Sequence, residues 1–161
     1  MPLNQLQSVH SDLYTEAFKK YSGREHLTQF KLPLLNCLWN DVIHFCPVHP
    51  SIIRKELNAI SPTLSKDRPW LQIPAESLAN LPAIYYRNAP SVYGGVYNFP
   101  ESCFSPFLAS KYEELNALPE WTIEYYREQF KKSQRPLLFN GVPHILVQAH
   151  VPLADMTEIS W

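Results

Sequence analysis

Proline sets the first limit on what this chain can become. Fifteen prolines stand against four glycines, and each proline locks φ and removes a main-chain donor. Regular elements are therefore expected to be short, with stiff connections between them. The chain still has material for a core. Of its 161 residues 45% are hydrophobic and 13% aromatic, which suits one domain over 1–161.

The pattern along the chain predicts an α+β domain, a short mixed sheet flanked by helices. Ser11 is an N-cap candidate, and Tyr14, Ala17, Phe18 and Tyr21 recur at helical spacing until Gly23, which predicts a first helix over 12–22. Arg24 and His26 follow in a loop, a placement compatible with a ligand contact as well as with simple solvation. Residues 42–46 read as a strand stopped by Pro47. A second helix opens at Pro50, with Ile53, Leu57 and Ile60 as its apolar stripe. A short helix is expected around 76–81 and a strand over 83–87. Residues 88–105 contain Gly94-Gly95 and the rings of Tyr93, Tyr97, Phe99 and Phe104, the marks of a long binding loop. Ser105-Pro106 reads as the cap of a helix running to Pro119, with Leu108, Tyr112, Leu115 and Leu118 on one side. Another helix is expected over 120–132, with Trp121, Tyr125 and Phe130 inward; Lys131, Lys132 and Arg135 at its end complement the helix dipole.

The most informative stretch is the last. From His144 to Val151 the residues alternate, with Ile145, Val147, Ala149 and Val151 on one face and His144, Leu146, Gln148 and His150 on the other. Asn140-Gly141 and Pro152 bound it, which predicts a short strand central to a sheet, followed by an extension over 156–160. A strand that buries one face and lines a cleft with the other would carry two imidazoles and a carboxamide in this way. A solvated polar face without a special role would look the same.

Several classes are disfavoured. Fourteen basic and fifteen acidic residues leave a net charge of −1, so no bulk field attracts nucleic acid or anionic lipid. Three cysteines, Cys37, Cys46 and Cys103, argue against a disulfide framework and for a reducing compartment. No leader and no apolar run of roughly 20 residues is present, so a cytoplasmic protein without membrane contact is expected. No GxGxxG, P-loop, nucleophile elbow or HExxH occurs. His44, Cys46 and His49 have a spacing close to that of metal ligands. Their second pair would have to be His144 and His150, about 20 Å apart on a strand at roughly 3.3 Å per residue. Metal is therefore not favoured, and a metal-dependent hydrolase at His44, Cys46 and His49 stands third among the readings.

Taken in order, a helix ending near an arginine, Val42-Ile43-His44-Phe45-Cys46-Pro47-Val48-His49-Pro50, Leu81-Pro82-Ala83-Ile84-Tyr85, Glu113-Glu114-Leu115 with Trp121, and Ile145-Leu146-Val147 leading to Pro152 form a pattern that resembles the DarT family. These are toxins of toxin–antitoxin systems, similar to ADP-ribosyltransferases, that modify thymidine in single-stranded DNA. The resemblance spans roughly residues 20–160. It implies an ADP-ribosyltransferase-like fold, NAD as cofactor, cleavage of the nicotinamide–ribose bond, single-stranded DNA as acceptor and an antitoxin-like protein partner.

Two departures matter. The family's catalytic glutamate, at the start of the last strand, is matched by His144, and an imidazole supplies no negative charge to a developing ribosyl cation. The family's opening histidine-containing strand has no clear counterpart ahead of Arg24. Glu158, fourteen residues beyond His144, could replace the glutamate only in another register.

The expected site thus has Arg24 and His144 at the chemical centre, Arg24 as an anion contact. His44, Tyr86, Arg87 and Gln148 are the expected cofactor contacts. A non-enzymatic module that holds protein or single-stranded nucleic acid through the aromatic 88–104 loop is the alternative.

Overall fold

The computed structural model describes residues 1–63, 67–87 and 99–160, with the side chains at 113–115 and 155 outside that description. Its centre is a four-stranded sheet. β3 (Ile43–Phe45), β5 (Ala83–Tyr86), β6 (Phe104–Pro106) and β7 (His144–Val147) lie in the spatial order β3, β7, β5, β6. The sequence pattern pointed to a mixed sheet, but every neighbouring pair runs antiparallel. β7 slots between two strands laid down much earlier, and its direction opposes both. Two smaller antiparallel ribbons complete the strands: β1 (Lys31–Leu32) with β2 (Cys37–Leu38), and β4 (Pro69–Gln72) with β8 (Thr157–Ser160).

The alternation of β7 becomes two buried faces. Ile145 and Val147 pack with Tyr85, Ala75, Leu78 and Phe107 on one side of the sheet. Leu146, wholly buried, packs with Ile84, Tyr86, Val42 and Phe104 on the other. Burial on both sides explains why the central strand pair, β5 and β7, reads as Ile-Tyr-Tyr and Ile-Leu-Val. Hydrogen-bonded pairing stops at Val147, although Ala149 and Val151 still pack against the Ile145 side. Gln148 and His150 are therefore past the strand and exposed.

A third cluster joins the two longest helices. In α3 (Pro50–Ile60), Ile53 and Leu57 are buried, and His49 caps the first turn by accepting from the Ser51 N–H. They meet Tyr126 of α4 (Glu120–Lys131), along with Val48 and Val142. Tyr126 and Thr122 are the buried residues of α4, while Phe130 is exposed and Trp121 and Tyr125 are half-buried. The inward face is thus displaced from the expected Trp121–Tyr125–Phe130 side, because Val142 and Leu138 cover the helix from the direction of Tyr126. Residues 105–106 belong to β6 rather than to a helix cap, and a 3-10 helix, Ala109–Leu115, replaces the expected longer helix. The expected helix over 76–81 is likewise a 3-10 turn, Ala75–Leu78. The helix expected over 12–22 is α2 (Ser11–Phe18), tightening into a 3-10 turn, Lys19–Tyr21, and a separate helix, α1 (Leu3–Val9), precedes it. Most of the expected binding loop, residues 88–98, lies outside the described residues.

Gly141 controls the approach to β7. Its φ is +79°, and a Cβ there would sit 2.3 Å from Thr122 Oγ1 and 2.4 Å from the Trp121 ring. Left-handed backbone and contact with α4 both demand glycine. Gly141→Ala is expected to destabilise the fold by about 2–4 kcal/mol, strain and overpacking together. Urea denaturation measures this; a loss below about 0.5 kcal/mol would mean the loop can withdraw from α4 freely.

Candidate functional site

Pairing register assembles the site. His144 lies opposite Tyr86, and His44 lies opposite Leu146. All four side chains belong to one face of the sheet, with the two histidines as diagonal neighbours across β3 and β7. The rings are 5.9 Å apart between centroids and nearly perpendicular, at 86°. Tyr86 stands 6.1 Å from His144, Phe139 also 6.1 Å, and Trp39 4.7 Å from His44. Behind them Trp39 stacks on Phe99 at 5.3 Å, the planes only 12° apart.

These rings form the floor of a cleft of about 640 Å³, roofed by α1 and α2. Its mouth carries Lys20 and Arg24. The Arg24 guanidinium donates to the Lys20 carbonyl, which holds the two cations together. Partial burial and the neighbouring Arg24 charge lower the Lys20 pKa. No aspartate or glutamate among the described residues lines the cleft; Lys20 Nζ lies over the Tyr21 ring, 5.0 Å from its centroid. The roof is fastened by polar contacts: Asn4 Nδ2 donates to Asp41 Oδ1 at 2.7 Å, and His150 Nε2 bonds the Gln5 carboxamide oxygen.

Among the described residues, three that line the cleft each carry a buried polar atom with no hydrogen-bond partner: Asn40 Nδ2, Asn140 Nδ2 and His144 Nδ1. Asn40 is 2% exposed, and its oxygen accepts from the Tyr21 hydroxyl. A buried polar group left unpaired costs about 1–3 kcal/mol, and native structures leave few of them. All three atoms are shut off from solvent, so a ligand in the cleft would reach them only after a side-chain shift.

Both imidazoles are pushed toward the neutral form, His144 more securely than the exposed His44. Burial pushes His144 down to about 4, with the Val142 main chain a weaker opposing influence that falls short of a directed bond to Nδ1. His44 is also lowered, by burial first and then by His144 and Lys20, while the Trp39 carbonyl opposes. One side of the His44 ring is open to the cleft, so water still solvates its cation and moderates that shift. Nε2 of His44 lies 3.2 Å from the Trp39 carbonyl; a carbonyl only accepts, so Nε2 carries the proton and Nδ1 is free to accept.

Arg24, His44, Tyr86 and His144 therefore line one cleft. Arg87 and Gln148 do not. Arg87 follows Tyr86 and points oppositely, exposed, with its N–H bonded to the Cys103 carbonyl. Gln148 lies past the end of β7, its N–H bonded to the Pro82 carbonyl. Lys20, Trp39, Asn40 and Asn140 were not foreseen. Lys20 could have been, since it precedes Arg24 by one helical turn; the others arrive only through tertiary packing.

Residues with metal-like spacing are engaged separately. The Cys46 thiol donates to the Val48 carbonyl at 3.3 Å and is pushed up to about 11 by burial, and His49 caps α3. No group of three or more His, Cys, Asp or Glu among the described residues is placed to hold a metal ion. No described helix is long and apolar enough to cross a membrane.

The chain matches no family model, no curated protein and no solved structure.

A histidine whose folded pKa lies below its unfolded value near 6.5 stabilises the fold least in acid, because the unfolded chain takes up the proton first. The histidine contribution should be constant above about pH 7 and fall as pH drops from 6.5 towards 4. The His144 share is about 2 kcal/mol, from about 1.4 kcal/mol per pH unit reduced for its open edge. Denaturation at pH 7 and pH 4.5 should show a smaller loss for His144→Gln than for the parent chain. Equal losses would mean that His144 is not held neutral by its surroundings.

Proposed function

We propose that the chain binds a nucleotide of the NAD class in the cleft beneath α1 and α2, as a divergent ADP-ribosyltransferase-like domain. The observation that carries this reading is the combination of a ring floor, Trp39, Tyr86 and Phe99, with Lys20 and Arg24 in one cleft that no carboxylate lines among the described residues. The side chains of Asn40, Asn140 and His144 beside that floor would turn to meet the carboxamide, ribose and base edges of such a ligand. A cation pair suits its pyrophosphate. The ring floor of Trp39, Tyr86 and Phe99 suits a flat heterocycle.

His144 stands where the resemblance expects a glutamate. A neutral imidazole can bond a ribose hydroxyl and can take up a proton. It brings no negative charge to a ribosyl cation, so transfer onto single-stranded DNA would proceed far more slowly than with a carboxylate. Binding is accordingly the primary activity, and transfer the secondary one.

Calorimetric titration with NAD in chelator-containing buffer is expected to give micromolar affinity. Arg24→Ala should weaken it about tenfold, equivalent to about 1.4 kcal/mol. His144→Ala should abolish it, and His10→Ala, an exposed change between α1 and α2, should leave it intact. Absence of binding at millimolar NAD, or equal effects of the two histidine variants, would overturn the reading.

A further inference from the structure

The two imidazoles in the cleft are held in different ways. His44 Nε2 donates to the Trp39 carbonyl at 3.2 Å, so Nδ1 keeps its lone pair, and the carbonyl steadies the ring as that lone pair takes up a proton. His144 Nδ1 is shut off from solvent, so this ring meets the cleft through Nε2. The rings stand 5.9 Å apart between centroids, with their planes at 86°. A side chain that moves a proton must come within about 3 Å of the oxygen it serves. In a displacement at phosphorus the attacking and leaving oxygens lie on opposite sides, and this spacing leaves one phosphate within reach of both rings.

The charge around the pair favours that reaction. Lys20 lies near enough to His44 to act on its charge, and Arg24 is fastened to the Lys20 carbonyl. Breaking a nicotinamide–ribose bond develops positive charge, which two cations oppose. Displacement at phosphorus spreads negative charge over the phosphoryl oxygens, which the same cations stabilise. No aspartate or glutamate among the described residues lines the cleft to offset them.

A second cleft, of about 820 Å³, shares His44, Phe139 and His144 with the first. The histidine pair thus stands where two clefts meet, with the rings of Trp39, Tyr86 and Phe99 on one side and that of Trp70 on the other. Two nucleosides joined by one phosphate would find an aromatic surface for each base and the imidazoles at the bond between them.

We propose that this junction cleaves single-stranded RNA by attack of a ribose 2′-hydroxyl on the adjoining phosphate, with His44 as general base and His144 as general acid. His44 Nδ1 takes the proton of the 2′-hydroxyl as its oxygen bonds to phosphorus. The bond from phosphorus to the 5′-oxygen breaks, and that oxygen receives a proton from Nε2 of a protonated His144. The products are a 2′,3′-cyclic phosphate and a 5′-hydroxyl. One proton has passed to His44 and one has left His144, and exchange with water resets both. Burial opposes the proton on His144; the phosphate anion seated beside the ring favours it. The inference rests on the nucleotide reading only in taking the cleft to hold ribose phosphates, and it needs no NAD.

The full chain is incubated with oligouridylate in chelator-containing buffer at about pH 6, close to the ordinary titration of imidazole, and the ends formed are read by mass spectrometry. Oligouridylate is expected to be cut to 2′,3′-cyclic phosphate and 5′-hydroxyl ends. Its 2′-O-methyl counterpart and oligothymidylate, which lack the nucleophile, should stay intact. His44→Gln and His144→Gln should each slow cutting about 10²–10⁴-fold. His10→Gln, an exposed change purified in the same way, should cut at the parental rate. Urea denaturation of the same samples separates lost chemistry from lost fold, and the 2′-O-methyl probe tests the parent chain without any variant. The proposal is overturned if the parent leaves oligouridylate intact, if the ends carry 5′-phosphates, if the 2′-O-methyl chain is cut, or if a folded His44 or His144 variant keeps the parental rate. NAD binding without cleavage would overturn this inference and leave the NAD reading; cleavage without NAD binding would do the reverse.

Discussion

Everything in this fold depends on β7 taking the place between β3 and β5. Without it the two have no common partner, and the apolar clusters on both sides of the sheet lose Ile145, Leu146 and Val147 together. The cost of that arrangement is long loop closure, because a strand from the end of the chain pairs with residues 43–45. Burial on both faces offsets it. Gly141 admits the chain to this position by passing against α4 where no side chain fits.

The same pairing makes the candidate site. His144 is the first residue of β7 and so sits at the rim of the sheet, where the cores end and the two clefts begin. Its neighbours are rings rather than carboxylates, which is why burial dominates its titration and the imidazole stays neutral. Two neutral imidazoles, an aromatic floor and a cation pair form a polar surface without a fixed anion. Such a surface recognises anionic and heterocyclic groups better than it stabilises positive charge. This is the physical difference between His144 and the glutamate that the resemblance would put there.

How much could be read in advance varied with the range of the interaction. The stripe of α3 and its proline at the first turn were legible because capping and helical spacing act within a few residues. The helix expected after Ser105 was not, since pairing of Phe104–Pro106 with β5 overrides the local cap signal. The face of α4 was misjudged by one position, Tyr126 rather than Tyr125 taking the core. Helical periodicity limits the buried arc without stating which neighbour will cover it. β4 escaped notice because its partner, β8, is far away in the chain and its residues barely alternate in burial.

The sequence by itself determined the alternation that opens at His144, the start of that strand and its central place in a sheet, because a period of two and a preceding turn are local properties, whereas its end at Val147 was not legible. It also brought Arg24, His44, Tyr86 and His144 forward as polar groups at element ends. Only the tertiary structure decided that these four line one cleft while Arg87 and Gln148 do not. It alone decided that burial lowers both imidazole pKa values and that three buried polar atoms near them lack partners among the described residues. Register across β3, β7 and β5 and the depth of burial are set by contacts between distant residues, which no local pattern encodes.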